Sequence, residues 1–253
     1  MKHLFKTALM SLLMVSQSSI ATAASSFPSH DEPQLRPALE RQDLRFHAGN
    51  RLESIPSYQA YPAEQAHNDF ELLLQQAATA QQELAMLAHR TAYLTNTDAL
   101  VPAVKSKQRA QAKLTGKLAN QPQHLTDLAR VSLVATDIDG VLKAYQYLSK
   151  QVEVIRVKNR FASPKANGYR DINMVVRLPQ TGHIAEVQLH LESIAAIKNG
   201  EEHQIYQQIQ QLERQAEPLS EFELARLTKL KQQSTALYHD AWQQLISPTK
   251  QLG

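Results

Sequence analysis

Hydrophobic and polar residues follow two different periods along the chain, and the period changes twice. From residue 63 to about 94 the apolar residues recur on one broad helical face, and a second helical pattern covers 104–118. The middle of the chain instead contains short β-rich runs at residues 130–135, 152–158, 170–178 and 183–191. A helical pattern returns near the end, where Ser220 and Glu223 can cap a last helix.

A helix is predicted between the first two β-rich runs. Thr136-Asp137-Ile138-Asp139 has the Ser/Thr-x-x-acid form of a capping box, and apolar residues then repeat at helical spacing to about Gln151. Pro179-Gln180-Thr181-Gly182 predicts a hairpin turn between the last two strands. The order is therefore helices, then β-α-β-β-β, then helices. This order predicts an α/β domain with a mixed (α+β) sheet and flanking helices.

Residues 1–23 have the features of a secretory signal peptide. A basic start with Lys2 and Lys6 precedes a short apolar stretch at residues 8–15, and Ala21-Thr22-Ala23 is a small-x-small cleavage site. The alternative is a merely helical N-terminus or a later start of translation. The segment indicates export to the periplasm.

The changes in pattern divide the chain into four parts. They are a signal-peptide-like segment at 1–23, a loosely ordered leader at 24–62, a domain at 63–215 with its core at 104–206, and a C-terminal helical extension at 216–253. The leader is assigned because Ser, Pro and charged residues occur there without sustained periodicity.

Composition limits the classes of function. The chain has 253 residues, of which 43% are hydrophobic, enough for a packed core. It contains no cysteine, which excludes disulfides, thiolate catalysis and Cys-ligated metal sites. No apolar run away from the N-terminus is long enough for a membrane span in the mature chain. A net charge of +3 does not require a nucleic-acid partner, and a homo-oligomer is compatible with the sequence.

Two features in the first half of the domain could bind phosphate and metal. Lys105, Arg109 and Lys113 are spaced to share one helical face, where three cations repel each other unless an anion such as polyphosphate lies against them. An ordinary solvated face is the alternative. Asp127 stands near the start of a predicted strand, a position suited to Mg²⁺, although a lone Asp is also common as a cap or turn residue.

Two features in the second half indicate a nucleotide site. The segment 157–170 places four cations, Tyr169 and an Asn167-Gly168 step between two strands, and a structural loop does not need this many cations. Strand alternation then puts Glu186, Gln188 and His190 on one face. Three polar groups projecting together suggest the wall of a site. A solvent-facing strand is the alternative.

Taken together, these residues make the chain similar to the RelA/SpoT synthetase domain, closest in size to the small single-domain alarmone synthetases. The similarity extends from about residue 104 to 206. Pro-Lys-x-Asn-Gly-Tyr followed by Glu-Val-Gln is a specific combination, stronger than either piece alone. The matching elements are Lys105 to Lys113, Asp127-Leu128-Ala129, Pro164 to Arg170, Glu186-Val187-Gln188, and His203 with Tyr206.

The resemblance implies a nucleotidyltransferase-like fold and a pyrophosphokinase reaction. In that reaction the β,γ-pyrophosphate of ATP moves to the 3′-hydroxyl of GDP or GTP and yields ppGpp or pppGpp. Mg²⁺ is the implied cofactor, ATP the co-substrate and GDP or GTP the partner. By position, Asp127 is the expected metal ligand, and Glu186 shares the metal or acts as the base for the 3′-hydroxyl.

The resemblance also implies two sets of binding residues. Tyr169 is expected to stack on guanine, whereas Asn167 and Gln188 orient the acceptor. Asn173 and His190 complete the acceptor set. The expected phosphate-binding residues are Lys105, Arg109, Lys113, Arg130, Lys158 and Lys165.

Four positions depart from the family's usual residues. Ala103 replaces an Arg that stacks on adenine, and Ser132 replaces another Arg, with Arg130 displaced toward the metal residue. On the acceptor side, Asn173 stands for a His and His190 for an Arg. The metal and pyrophosphate residues are retained, so these departures bear on how ATP is held and on the choice of acceptor.

Two further readings therefore stay open beside alarmone synthesis. One is a toxic relative that transfers the pyrophosphate to adenine nucleotides or to the 3′ end of tRNA. The other is an exported, non-catalytic domain that binds nucleotide or a partner. The signal-like segment and the nucleotide chemistry point to different compartments, since ATP is supplied in the cytoplasm and not in the periplasm.

Overall fold

The computed structural model describes residues 47–215 and 217–247. The predicted signal segment and the first part of the predicted leader lie outside these residues. Of the helices in the described ranges, none combines the length and apolar character of a membrane span.

The described chain alternates helices with short strands. The helices are α1 (47–53), α2 (Phe70–Thr95), α3 (Lys107–Lys117), α4 (Ile138–Gln151), α5 (Glu192–Asn199), α6 (Glu201–Glu213) and α7 (Glu221–Ile246). The strands are β1 (Tyr58–Gln59), β2 (Asp98–Leu100), β3 (Arg130–Ala135), β4 (Glu153–Asn159), β5 (Ile172–Arg177) and β6 (Ile184–Leu191), and a short 3₁₀ turn covers Pro122–His124. The long strands and α4 lie within two residues of the predicted bounds.

In the described part of the chain, the strands form one six-stranded sheet in the order β1-β4-β5-β6-β3-β2. β3 and β6 run parallel, and the other neighbouring pairs run antiparallel. The β5–β6 hairpin turns at the predicted residues, where Gly182 has a φ of +66°. The sheet is therefore mixed, which confirms the predicted α/β (α+β) class.

Helices α2 and α4 cover one face of the sheet and build the main core. Alternate residues of β3 and β6, among them Val131, Leu133, Val187 and Leu189, are buried there against apolar residues of both helices. Because side chains alternate across a strand, the residues between them project from the opposite face. That opposite face carries the polar residues of the site.

The start of α4 differs from the sequence prediction. Asp137, and not Thr136, is the N-cap: its side chain accepts a hydrogen bond of 2.7 Å from the backbone N–H of Gly140. The predicted capping box at Ser220 and Glu223 is confirmed at the start of α7.

Residues 47–62, which the sequence assigns to a loosely ordered leader, contain α1 and β1 and are held to the sheet. Leu52 is fully buried, and the Asn159 side chain donates hydrogen bonds of 2.8 Å to the backbone carbonyls of Leu52 and Ile55. These contacts are made with a strand about a hundred residues away, so local periodicity does not reveal them.

Candidate active site

Four strands bring polar residues into two neighbouring rows on the sheet face opposite α2 and α4. Registered positions in neighbouring strands share a face. One row contains Lys158, Asn173, Gln188 and Ser132. The next row contains Arg156, Val175, Glu186 and Arg130. Residues that are far apart in the sequence therefore become neighbours around Glu186 and Gln188.

A cavity of about 1040 Å³ opens beside this face, between α3 and the segments after β4 and β6. Ten of the thirteen predicted site residues line it: Lys105, Arg109, Lys113, Asp127, Lys165, Asn167, Tyr169, Asn173, Glu186 and Gln188. The other three predicted residues are placed differently. Arg130 and Lys158 lie in the strand rows beside Glu186 and Gln188, and His190 is buried beneath the cavity wall.

At one end of the cavity Asp127 is held by two lysines. Its Oδ2 lies 2.5 Å from Lys105 Nζ and 3.0 Å from Lys113 Nζ. Burial alone raises the pKa of Asp127, but the hydrogen bond from Lys105 and the charges of Lys113 and Lys105 outweigh burial, and the net pKa lies below its usual range. Asp127 is therefore ionised at neutral pH. Lys105 precedes α3, so it reaches Asp127 from the helix entry rather than from the predicted shared face.

The donor set fits Mg²⁺. The buried Oδ1 atom of Asp127 has no hydrogen-bond partner among the described residues, so it has a lone pair to offer. Glu186, on the same cavity, has one carboxylate oxygen engaged by Gln188. Within 47–215 and 217–247, no group of three or more His, Asp or Glu is close enough to form a complete protein metal site. One or two carboxylates with substrate phosphates are the usual ligands of Mg²⁺.

Glu186 begins a chain of hydrogen bonds along β6. Gln188 Nε2 donates to Glu186 Oε1 over 3.0 Å, and Gln188 Oε1 lies 3.2 Å from His190 Nε2 and 3.4 Å from Lys198 Nζ. Burial, followed by the charge of Lys198, lowers the pKa of His190 to about 3. His190 is therefore neutral at pH 7 and contacts the Gln188 side chain from the buried side.

Tyr169 lies at the centre of the cavity wall. It is 5% exposed, and its hydroxyl donates to Asp171 Oδ2 over 2.8 Å. Burial and the neighbouring Asp171 carboxylate raise the pKa of the Tyr169 hydroxyl. Two ammonium groups lie near the ring, at 4.7 Å for Lys165 and 5.5 Å for Lys198. These two lysines lie where a stacked base would contact the ring, so stacking on Tyr169 would require them to move, for example toward bound phosphates. The stacking role of Tyr169 therefore stays a prediction.

The β4–β5 loop, residues 160–171, makes a tight turn at Asn167-Gly168. Gly168 has a φ of +81°, a conformation that favours glycine. The Asn167 side chain accepts a hydrogen bond of 3.3 Å from the Tyr169 N–H and donates one of 3.1 Å to Glu202 Oε1. Asn167 thereby connects Tyr169 to α6.

The cavity has an excess of positive charge. Burial is the main cause that lowers the pKa of Lys165 and of Lys198, and the charge of Arg160 lowers both further, while the carboxylates of Asp171 and Glu186 act in the opposite direction. Polyphosphate would relieve this excess of positive charge. Among the described residues that line the cavity, three are carboxylates and eight are cations: Lys105, Arg109, Lys113, Lys117, Arg160, Lys165, Lys198 and Arg214.

Several cavity residues were not proposed from the sequence. Lys198, Glu202 and Tyr238 come from α5, α6 and α7, and nothing in their local pattern marks them as polar groups of a site. Asp171 is fully buried and paired with Arg160 Nη1 at 2.6 Å. Arg160 was visible only as one of the four cations of the β4–β5 segment. His203 and Tyr206, noted in the resemblance, also line the cavity.

Comparison with known proteins identifies a family to which part of this chain is similar. Residues 103–211 match the family described as "Region found in RelA / SpoT proteins". No curated protein sequence matches the chain. Small alarmone synthetase 2 from Bacillus subtilis is similar in structure, with a TM-score of 0.52 and 19% identity, over 70% of this chain and 96% of that one.

A second similar structure is a chain from the complex between the type VI effector Tas1 and its immunity protein. Its TM-score is 0.51 at 21% identity, over 69% of this chain and 96% of that chain. At these identities the structural likeness shows the fold, while the family match covers most of the residues that line the cavity, from the entry of α3 to α6, but not Arg214 and Tyr238. Residues 103–211 of this chain therefore resemble a RelA/SpoT domain in sequence, and the fold agrees with that resemblance.

Proposed function

We propose that the protein is a Mg²⁺-dependent pyrophosphokinase that transfers the β,γ-pyrophosphate of ATP to the 3′-hydroxyl of GDP or GTP. One observation carries the proposal: a lysine-bound Asp127 and the Glu186–Gln188 pair face the same cation-lined cavity. Pockets for one small molecule usually measure roughly 300–1,000 Å³. At about 1040 Å³ the cavity is slightly larger than that range, which supports a site for two nucleotides.

The end of the cavity around Asp127 suits the donor, ATP. Lys105 and Lys113 already bind a carboxylate there and can exchange part of that contact for phosphate oxygens. Asp127, with Glu186, would hold Mg²⁺, and the ion would neutralise charge on the transferring phosphates. Phosphoryl-type transfer depends mainly on alignment and charge neutralisation, and the surrounding cations supply both.

The end around Glu186 suits the acceptor. Gln188 occupies Oε1 of Glu186, which leaves Oε2 to take the proton of the 3′-hydroxyl. The 3′-oxygen then bonds to the β-phosphorus of ATP as the bond from that phosphorus to the α,β-bridging oxygen breaks, and AMP leaves. Asn167 and Tyr169 lie on the same wall, where they can orient the acceptor nucleotide.

The residues on the acceptor side also favour a second class of acceptor, which the experiment tests separately. Asn173 and His190 stand on the acceptor side where the family usually has His and Arg, and the fold is shared with a chain of a type VI effector complex. In this alternative the pyrophosphate goes to an adenine nucleotide or to the 3′ end of tRNA. If the protein is exported, it would then act beyond the periplasm, in a compartment that contains ATP.

The test is a transfer assay with purified full-length protein, γ-labelled ATP and Mg²⁺. Separate reactions contain GDP, GTP, adenine nucleotides, tRNA or no acceptor. Glu186→Gln removes the proposed base, and Glu192→Gln makes the same change at an exposed residue six positions away. Labelled guanosine product with wild type and Glu192→Gln supports the proposal. Label only on adenosine or tRNA supports the alternative, and label on nothing supports a non-catalytic binding domain.

A further inference from the structure

We infer that α7 positions the acceptor wall of the cavity, which is formed by the β4–β5 loop (residues 160–171). It does so through hydrogen bonds to Glu202. The inference rests on the proposed function, because it takes the β4–β5 loop as the acceptor side. Helix α7 follows the region that matches the RelA/SpoT family, which ends at residue 211. It nevertheless contributes Tyr238 to the cavity lining.

The β4–β5 loop rests directly on α7. A Cβ atom built on Gly168 would lie 3.2 Å from the Thr235 carbonyl oxygen and 3.2 Å from Tyr238 Cβ, so any side chain at this position would push the turn and α7 apart. The Tyr169 and Tyr238 rings meet edge to face, with centroids 5.6 Å apart.

Both ends of the loop make the same kind of contact further along the helix. The Phe161 ring lies 5.3 Å from the Trp242 ring, and the Arg170 guanidinium lies 4.9 Å from it. The loop is therefore supported over its length by one face of α7.

Glu202 connects this support to the turn. Its carboxylate is 5% exposed and accepts hydrogen bonds from Asn167 Nδ2 at 3.1 Å, Ser234 Oγ at 2.8 Å and Tyr238 Oη at 3.2 Å. Ser234 and Tyr238 are four residues apart and so share a face of α7. A buried carboxylate requires such donors, and two of the three come from α7.

Asn167 connects Glu202 to Tyr169 in the acceptor wall through hydrogen bonds at both ends of its side chain. One end of its side chain is held by Glu202, and the other accepts from the Tyr169 N–H. Without the α7 hydroxyls, Glu202 would turn toward water or other donors, and the Asn167 turn would lose its fixed position. Within the described ranges, Asp127 forms its ion pairs with Lys105 and Lys113 and with no residue of α7, so the donor end should be unaffected. Glu202 is thus a positioning residue.

The kinetic test uses Ser234→Ala and Tyr238→Phe, singly and together, with Tyr93→Phe as the matched control because Tyr93 is 88% exposed. A hydrogen bond to a buried charged group is worth about a factor of ten or more. We expect the KM for GDP or GTP to rise about tenfold in the double variant, with the KM for ATP and kcat within about twofold of wild type. An equal rise in the KM for ATP and in the KM for GDP or GTP, or no change in either, would overturn the inference.

Coupling and loop protection are measured on the same proteins without substrate. The free energy of unfolding of the Glu202→Gln, Tyr238→Phe double variant should be only slightly lower than that of Glu202→Gln alone, because both substitutions remove the same contact between Tyr238 and Glu202. Amide hydrogen exchange should speed up at residues 165–170 in the double α7 variant and stay unchanged in β6. If wild type transfers to no acceptor, the proposed function fails, but exchange still decides this inference: unchanged protection at 165–170 would refute it.

Discussion

The donor and acceptor ends of the cavity are held in place in different ways. At the donor end, Asp127 meets Lys105 and Lys113, all within 23 residues of sequence. At the acceptor end, Asn167 reaches Glu202, which in turn binds side chains of α7. The donor end is a local set of ion pairs, whereas the acceptor end is a buried network of distant segments. Substitutions at the donor end should therefore alter the charge around the phosphates, whereas substitutions at the acceptor end should alter the position of the β4–β5 loop.

Among the changes that compare the two ends, the largest expected effect comes from removing the charge at the donor end. Asp127→Asn leaves Lys105 and Lys113 without their anionic partner and removes the proposed metal ligand. We expect transfer to fall by roughly a hundredfold or more. The assay is initial rate against Mg²⁺ concentration, with Asp98→Asn on the exposed edge strand as the control. A variant with wild-type rate would refute the role of Asp127.

Adding one methyl group to the acceptor turn should have the next largest effect. Gly168→Ala meets both a φ of +81° and the close atoms of Thr235 and Tyr238, whereas Gly182→Ala meets a φ of +66° in open space. We expect about 1–3 kcal/mol of lost stability at Gly168 and less at Gly182. Only Gly168→Ala should raise the KM for the acceptor.

Denaturant unfolding and steady-state kinetics of the two glycine variants separate backbone strain from loss of contact with α7. If Gly182→Ala raises the acceptor KM as much as Gly168→Ala does, the effect is strain transmitted through the sheet, and α7 does not account for it.

The ion pairs of the donor end predict a pH dependence of stability. The pKa of Asp127 is lowered from 3.8 on folding, so its ionised form stabilises the fold above about pH 4, and this contribution disappears as the pH falls through the lower folded pKa. The difference in unfolding free energy between wild type and Asp127→Asn should therefore shrink on acidification. Urea unfolding between pH 7 and pH 2 measures it. A difference that grows toward low pH would contradict the ion-pair account.

The smallest expected effect concerns α3 itself. A Cβ atom on Gly116 would meet no atom within 4 Å, and Gly116 lies inside the helix. Gly116→Ala should stabilise the protein by at most about 1 kcal/mol, because alanine loses less backbone entropy. Thermal unfolding measures this directly, and a clear loss of stability would show that α3 is more tightly packed than the donor-end description allows.

The sequence predicts the long strands and α4 because they bury one face with a clear period, as at Ile138 to Leu148. It predicts ten of the 21 residues that line the cavity, and five of these belong to the contiguous Pro-Lys-x-Asn-Gly-Tyr and Glu-Val-Gln elements. It does not predict β2, which has three residues, or the helices α5 and α6 that follow β6. Such short elements form through tertiary contacts rather than local pattern.

The Glu202 network is the part that sequence reasoning could not reach. Glu202 reads as an ordinary acidic residue in the first turn of a helix, and Ser234 and Tyr238 read as one face of an unrelated helix. Their meeting depends on how α6 and α7 pack, which no spacing along the chain encodes. The same holds for His190, where strand alternation gives the face but not the burial.

The most direct test of the central claim is pyrophosphate transfer from γ-labelled ATP to GDP, compared among wild type, Glu186→Gln and Glu192→Gln, with and without Mg²⁺. The account predicts a 3′-labelled guanosine product from wild type and Glu192→Gln only when Mg²⁺ is present. Glu186→Gln should be slower by a factor of about 10²–10⁴, the usual contribution of a general base. Full activity in Glu186→Gln, or no Mg²⁺-dependent product from wild type with GDP or GTP, would contradict it.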